Sequence, residues 1–538
     1  MKKAFLFLLV SGLAVYSYGQ KAITQKLDEL VSAYANVGKF NGAVLVSRRG
    51  EILLQNGYGI RNDKKGESVS ADDVFQLYSI TKTFTSTLVM KLEEEGKLKL
   101  SDKLEKYYPD FPEGDKITIE NLLTHTSGIY DYTRGYNMPD MKEKTFVDFL
   151  KSKPLDFPPG TNWSYSNSGY WLLGFIIEKV SGLSFEEALK RYIFDPLQMR
   201  SSGLDYKKLV SKYKTTGYVI LSDSLKQEAE IYDSPGPFAA GAIYATVGDV
   251  YKYYVGTKDH EILTSDSYKK AFSPYKNDYG YGWVISSFDG NKTIGHSGGA
   301  AGFRTNFIMI PDKDICIVVL SNSEQVSARF ITGKLLEVLF EKPYIVPREM
   351  QLDNKILVQY AAYYKLNDHN LHITISGHRL AVEPSGEPKN ELLALGENYF
   401  YSPETGFYLG FQKNEYNEDF DLVIYKDNKI IKTERFIPTW GIIGTATTSG
   451  WEGSDIEMTQ DINDRSIWRL QHIKLTDGEM KFRFANGWNI SYGDNKQDRQ
   501  LESDGENIKV SAGIYDIMLD LREPKSPKYE LLTRQISD

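Results

Sequence analysis

Three short stretches of the sequence carry side chains suited to acyl transfer. Ser79-Ile80-Thr81-Lys82 sets a hydroxyl and an ammonium three positions apart, which on a helix is a single face. A serine hydroxyl is a weak nucleophile until a neighbouring base takes its proton, and a lysine with a pKa depressed by burial serves as such a base. A helix that begins at the serine also aims free backbone N–H groups at an incoming carbonyl oxygen. Tyr165-Ser166-Asn167 offers a phenol to carry a proton and an amide to orient a substrate. His296-Ser297-Gly298-Gly299 follows a strand-like run, and its glycines let the backbone pass close to a ligand. Each pattern has echoes elsewhere: Ser211/Lys214, Ser267/Lys270 and Ser273/Lys276 repeat the first, and Tyr275-Lys276-Asn277 repeats the second.

The elements around these stretches separate the Ser79 copy from its echoes. Ile80, Phe84, Leu88 and Leu92 recur every fourth residue and predict a buried helix over 79–95, with Gly96 where a helix-ending glycine belongs. The loop 158–167, rich in Gly, Pro and Ser, feeds a second apolar-striped helix. Residues 42–59 read as two strands around an Arg-Arg-Gly turn. Residues 303–310 and 315–322 read as a hairpin, and 329–342 as a closing helix. Strands at both ends with helical material between them imply a sheet whose first and last strands meet.

In this order and context, the three stretches resemble the serine β-lactamase and penicillin-binding protein superfamily, in its class C-like, D-alanyl-D-alanine carboxypeptidase and esterase branch. LLTHTSGI at 122–129, PPGTNWSYSN at 158–167, FDPLQM and YGYGW are similar to that family too, and the resemblance covers residues 35–340. It implies an α/β domain with an antiparallel sheet, a helical companion, and the serine between them. By that resemblance Ser79 is the acylated nucleophile, Lys82 and Tyr165 are the shared general base and then acid, and Asn167 contacts a substrate amide. His296, Ser297, Gly298 and Gly299 form the substrate-binding strand, with the backbone N–H groups of Ser79 and Gly299 as the oxyanion hole. His296 stands where β-lactamases of the superfamily carry the lysine of Lys-Thr-Gly. It replaces a permanent cation with a group of pKa about 6.5, which points toward peptidase and esterase members. His125 reads as structural and Arg304 as a surface strand position.

Length and composition bound the rest. At ~150 residues per domain, 538 residues imply several domains. Apolar residues make up 41% and charged residues 25%, the balance of a folded, water-soluble chain. With 64 Lys and Arg against 72 Asp and Glu, no global cationic field favours nucleic acid. Residues 1–19 read as a signal peptide: Lys2 and Lys3, then an apolar run too short to span a bilayer, then Ser17 and Gly19 at the cut. Export to the periplasm or the exterior follows, with outer-surface association left open and no transmembrane segment in the mature chain. Cys316, the one cysteine in the sequence, lies in a buried-strand pattern, and a single cysteine allows no intrachain disulfide.

Among the seven histidines, His125, His260, His296, His369, His372, His378 and His472, none forms the metalloprotease pair, and no metal or cofactor is expected. Alternation in LHITI places His372 on the solvent face. The reading divides the chain into a hydrolase domain at 20–345 and two all-β modules. Residues 346–437 resemble a small lipocalin-like β-domain. Residues 438–538 resemble the β-sandwich of starch-utilisation outer-membrane binding proteins, in which Trp440, Trp451, Trp468 and Trp488 are candidates to stack on sugar, with Lys481, Arg483 or Asn486 hydrogen-bonding. The sequence thus points to an exported serine hydrolase acting on a D-amino-acid peptide, a small amide or an ester. The alternatives are a glycan-binding surface protein with a hydrolase scaffold, and a true β-lactamase.

Overall fold

The computed structural model describes residues 22–135, 142–222, 225–231, 237–366, 369–384, 389–402, 405, 407–414, 419–426, 429–488, 490–523 and 526–534. The leader read at 1–19 lies outside these. The chain divides into two compact units, one ending at Pro347 and the other beginning at Arg348.

The first unit is built on a six-stranded antiparallel sheet. Its strands are β1 (Gly42–Arg48), β2 (Glu51–Tyr58), β3 (Val284–Phe288), β4 (Asn291–Ala300), β5 (Phe303–Ile310) and β6 (Ile315–Ser321), in the order β2-β1-β6-β5-β4-β3. The first strand therefore meets the last, with Gly42 opposite Ser321 and Arg48 opposite Ile315. β6 is buried along its whole length, Cys316 included, which is why it reads as a continuous apolar run rather than an alternating one.

Between the sheet's two halves lies the helical part. Helix α1 (Thr81–Glu94) follows a 3₁₀ turn at Tyr78–Ile80 and ends before Gly96, whose φ of +69° only glycine adopts freely. Ile80, Phe84, Leu88 and Leu92 are fully buried, as their spacing predicts. Burial extends beyond that stripe to Thr81, Lys82, Thr83, Thr85, Ser86 and Thr87. The hydroxyls make this possible by donating to backbone carbonyls, Thr83 to Ile80 at 2.8 Å and Thr85 to Ala239 at 2.6 Å. Helix α2 (Asn167–Ser181) is capped by Ser166 and ended by Gly182 at φ +71°. Helix α3 (Val247–Lys258) brings Tyr253 flat against Phe84, ring centroids 3.9 Å apart, and helix α4 (Ala328–Leu339) closes the unit.

The second unit is all-β. Eight antiparallel strands from Ala362–Leu366 to Lys429–Phe436 close into a barrel, the first strand pairing with the last. Its interior is packed by Tyr364, Ile373, Leu380, Leu392, Phe400 and Phe411, among others. From Trp440 onward a six-stranded sheet and a four-stranded sheet enclose a separate core. Among the described residues, no helix is long and apolar enough to cross a membrane.

Candidate active site

Ser79 sits in the 3₁₀ turn, half-exposed, directly after Tyr78, whose φ of 49° is left-handed. A non-glycine residue there costs about 1–2 kcal/mol, and the resulting sharp turn presents the serine at the start of α1. One turn on, Lys82 is completely buried. Its Nζ lies 3.1 Å from Ser79 Oγ, 2.8 Å from Asn167 Oδ1 and 2.8 Å from the Ala240 carbonyl. Burial pulls the ammonium down to about 7, against the opposing attraction of Asp131. The lysine therefore exchanges its proton near neutrality.

Tyr165 faces the same hydroxyl. Burial pushes its phenol well above the usual range, and the nearby Ser79 hydroxyl opposes this only in part. Of the two groups around the serine, Lys82 is thus the one that reaches its basic form near pH 7, while Tyr165 keeps its proton. Behind Tyr165 stands His125, ring centroids 4.4 Å apart. His125 Nδ1 accepts the Ser166 N–H at 3.1 Å, tying the Leu122–Ile129 segment to the backbone between Tyr165 and Asn167.

β4 closes the other side. β3 pairs with it only as far as Gly295, so from His296 onward β4 has β5 on one edge and the Ser79 turn beside it. A Cβ on Gly298 would run into the Leu77 carbonyl and come within 2.9 Å of the Ser79 nitrogen. That close approach requires glycine. His296 is buried, and its two ring nitrogens are occupied. Nδ1 lies 2.6 Å from the Ser297 carbonyl, which only accepts, so Nδ1 carries the hydrogen. Nε2 then accepts the Tyr279 hydroxyl at 3.0 Å. Burial and the neighbouring Lys82 hold the imidazole down to about 3. The expectation of a group titrating near 6.5 is therefore corrected: His296 is neutral and presents no free donor.

The serine and lysine echoes are not assembled in this way. Ser267 donates to Glu94 and Lys270 pairs with Glu93, while Lys214 and Lys276 donate to the carbonyls of Lys207 and Thr161.

Residues 27–339, more than half the chain, match the Beta-lactamase family model. The chain belongs to the Beta-lactamase family. Penicillin-binding protein 4* of Bacillus subtilis (strain 168) is 30% identical over 422 residues, covering 71% of this chain and 93% of its own. The octameric penicillin-binding protein homologue from Pyrococcus abyssi shares 26% identity at a TM-score of 0.56, over 76% of this chain and 97% of its own. A D-stereospecific amidohydrolase from Streptomyces sp. shares 25% identity at a TM-score of 0.50, over 59% and 98%. Homologues with the Beta-lactamase fold are serine hydrolases.

In this Beta-lactamase-family chain three further residues reach the site that the sequence reading did not single out. Tyr279 anchors His296. Asp131 accepts the Asn167 Nδ2 hydrogen at 3.2 Å. Arg329, on the first turn of α4, donates to Ser297 Oγ from Nε at 3.0 Å and from Nη2 at 2.6 Å. Arg304 is a partly buried residue paired with Glu324 at 3.1 Å rather than a free surface cation, and it packs against Gly299.

In the second unit the structure separates the four tryptophans. Trp440 and Trp468 are buried in the core between the two sheets. Trp488 is 47% exposed, with Trp451 at 6.1 Å between ring centroids and the Arg483 guanidinium 4.8 Å from its ring. Arg483 is itself buried against Asp455, Asn486 is exposed and accepts the Asp455 N–H at 2.9 Å, and Lys481 is half-buried. His372 is not simply solvent-facing: its ring stacks on Tyr363 at 4.0 Å. The side chain of His369 lies outside the described residues.

Proposed function

We propose that this chain is an exported serine hydrolase that forms an acyl-enzyme on Ser79. The observation that carries this reading is the 3.1 Å approach of Lys82 to Ser79 in a setting that pulls the amine down to about 7. The neutral Lys82 amine takes the Ser79 proton as Oγ attacks a carbonyl carbon. The oxyanion so formed faces the backbone N–H groups of Ser79 and Gly299. As the tetrahedral intermediate collapses, Tyr165 gives its proton to the leaving amine or alcohol and recovers one from Lys82. Water then repeats the sequence on the acyl-enzyme and frees Ser79.

The substrate class is a D-amino-acid peptide or a related small amide or ester. The names of the penicillin-binding and D-stereospecific relatives support it. Arg329 on Ser297 favours a substrate with a carboxylate beyond the scissile bond, because neutral His296 supplies no charge and Arg329 does. Ser297 and Gly299 are two positions apart on β4, about 7 Å, room for one residue between reacting carbonyl and carboxylate. The leader pattern at 1–19 supports export.

Intact-protein mass spectrometry with a fluorescent penicillin and, separately, a fluorophosphonate tests this reading beside Ser79→Ala. A Ser79 adduct with penicillin supports the D-peptidase branch, and an adduct with fluorophosphonate alone supports an esterase or amidase. No adduct with either probe overturns the mechanism. A second reading, glycan binding at the C-terminal sheets, rests on Trp451 and Trp488. Affinity electrophoresis in soluble starch tests it, and equal mobility of wild type and Trp488→Ala would remove it.

A further inference from the structure

Asp131 is buried, 6% exposed, in the loop after the Leu122–Ile129 segment, and the mechanism above makes no use of it. Its Oδ1 accepts the Thr133 N–H at 3.1 Å and its Oδ2 accepts Asn167 Nδ2 at 3.2 Å. Among the described residues no Lys, Arg or His lies within ion-pair distance of it. Its link to a positive charge runs through Asn167, whose Oδ1 receives Lys82 Nζ at 2.8 Å. A buried carboxylate without a direct cation is costly to retain, and this one is aimed at an amide that touches the serine's base.

An ionised carboxylate only accepts hydrogen bonds, whereas a carboxamide presents a donor end and an acceptor end. Asp131 therefore dictates which end of Asn167 faces Lys82: Nδ2 must point to the carboxylate, and Oδ1 must point to the amine. A neutral amine has two N–H donors and one lone pair. Asn167 Oδ1 and the Ala240 carbonyl, each at 2.8 Å, take the two hydrogens. The lone pair is left for the third neighbour, Ser79 Oγ. If the amide were reversed, its NH₂ group would compete for that lone pair and the serine would lose its base.

We propose that Asp131 is a positioning residue that keeps the Lys82 lone pair on Ser79 by fixing the orientation of the Asn167 amide. The inference rests on the reading of Ser79 as nucleophile. It gives the site an order Asp131, Asn167, Lys82, Ser79, with the charge at one end and the nucleophile at the other. Asp131 also bears on the proton affinity of the lysine. The ionisable groups facing Lys82 are Asp131, Tyr165, Tyr170, His125 and His296. The two histidines are held neutral by burial and both phenols are pushed upward, so Asp131 is the one formal charge of this set. Its attraction raises Lys82 against the lowering by burial.

The test measures the second-order rate of fluorophosphonate labelling between pH 5 and 9 on the full chain. Wild type, Ser79→Ala, Asp131→Asn, Asp131→Ala and Asn167→Ala are compared. Asp131→Asn keeps the size of the side chain but removes the charge and the accept-only constraint. Its acid limb is expected to move down by about half a pH unit or more, and its plateau rate to fall. Asp131→Ala is expected to lose about tenfold or more at the plateau, and to add little further loss in an Asn167→Ala background, since the two act as one unit. If wild type labels at Ser79 and Asp131→Asn keeps the wild-type plateau, the proposal is overturned even where the midpoint moves with the lost charge. If wild type is not labelled at Ser79, the underlying reading fails instead. Should Asp131→Ala not fold, the plateau of Asp131→Asn decides: loss of the charge moves the midpoint whichever way the amide faces, whereas a wild-type plateau would show that Asn167 keeps its orientation without the carboxylate and would overturn the proposal.

Discussion

His125 and His296, both buried and with ring centroids 4.4 Å and 6.2 Å from that of Tyr165, hold opposite tautomers. His125 accepts a backbone N–H at Nδ1 and so carries its hydrogen on Nε2. His296 donates from Nδ1 to a carbonyl and accepts at Nε2. The His125 contact requires a neutral ring, and burial together with Lys82 lowers both groups, His296 to about 3. Neither imidazole is expected to show a protonation midpoint between pH 5 and 8 in NMR spectra assigned with His125→Gln and His296→Gln. The unfolded chain binds protons near the usual pH of about 6.5 that the folded chain refuses. Stability is therefore present above that pH and falls as pH drops from 6.5 toward 3. The slope from His296 is up to about 1.4 kcal/mol per pH unit. Urea titrations at pH 7 and pH 5 should show the loss, and His296→Gln should reduce it.

The activity should follow Lys82. The working base is the neutral amine and the folded lysine sits at about 7, so kcat/KM for p-nitrophenyl acetate is expected to be half-maximal near that pH. It should fall about tenfold per pH unit below it. Lys82→Arg keeps a cation but cannot release a proton, and is expected to lose about 10²–10⁴ in rate. A profile flat from pH 5 to 9 would contradict the assignment of Lys82 as base.

Tyr165 is assigned the acid step because burial keeps its phenol protonated. An amine leaving group needs that proton and p-nitrophenolate does not. Tyr165→Phe should therefore reduce turnover of a D-amino-acid amide by about 10²–10⁴, while acylation by a p-nitrophenyl ester falls much less. Equal losses on both substrates would assign Tyr165 to another step.

Gly298 gives a purely steric prediction. A Cβ there collides with the Leu77 carbonyl beside Ser79, and backbone cannot yield as a side-chain tip can. Gly298→Ala is expected to lower Tm by several degrees, at about 1–3 kcal/mol for overpacking, and to slow labelling of Ser79. Gly333, where added volume meets nothing within 4 Å and the backbone is not left-handed, provides the control for space alone.

The parts of the site that local spacing controls were legible. Ser79 and Lys82 share one helical turn, Tyr165 and Asn167 share one loop and cap, and the glycines of β4 announce a close approach. The burial of β6 and the meeting of first and last strands followed from an uninterrupted apolar run and from element order. Asp131, Tyr279 and Arg329 were not legible, because each reaches the site from a separate segment whose own pattern is unremarked. A tyrosine in YGYGW or an arginine at a helix start has no local feature that marks it as a partner of residue 296 or 297. The burial of α1 as a whole was legible, but not the way its Thr and Ser face is accommodated. Hydroxyls look solvent-facing until the carbonyls they bond are known. In the short strands after Trp440, bulges such as that between Leu470 and Ile473 break the alternation that would have sorted core from surface tryptophans.

Arg329 carries the prediction that separates the substrate classes. Its guanidinium holds Ser297 Oγ through two donors and, among the described residues, no carboxylate lies within ion-pair distance of it. Arg304, the cation that sequence favoured for a surface position, is already neutralised by Glu324. A carboxylate arriving next to Ser297 would meet Arg329 in the planar geometry that guanidinium groups use for bidentate pairing. A charge-assisted contact of this kind contributes about 1.5–3 kcal/mol, which corresponds to roughly 10- to 150-fold in affinity. Arg329→Gln is therefore expected to raise KM for an acyl-D-Ala-D-Ala peptide by about that factor, with a smaller change for the same peptide amidated at its C-terminus. Because the side chain is exposed at the start of α4, the substitution should leave Tm within about a degree of wild type. If the free acid and the amide respond equally, the carboxylate is not read at Ser297, and the site belongs with hydrolases of neutral amides and esters.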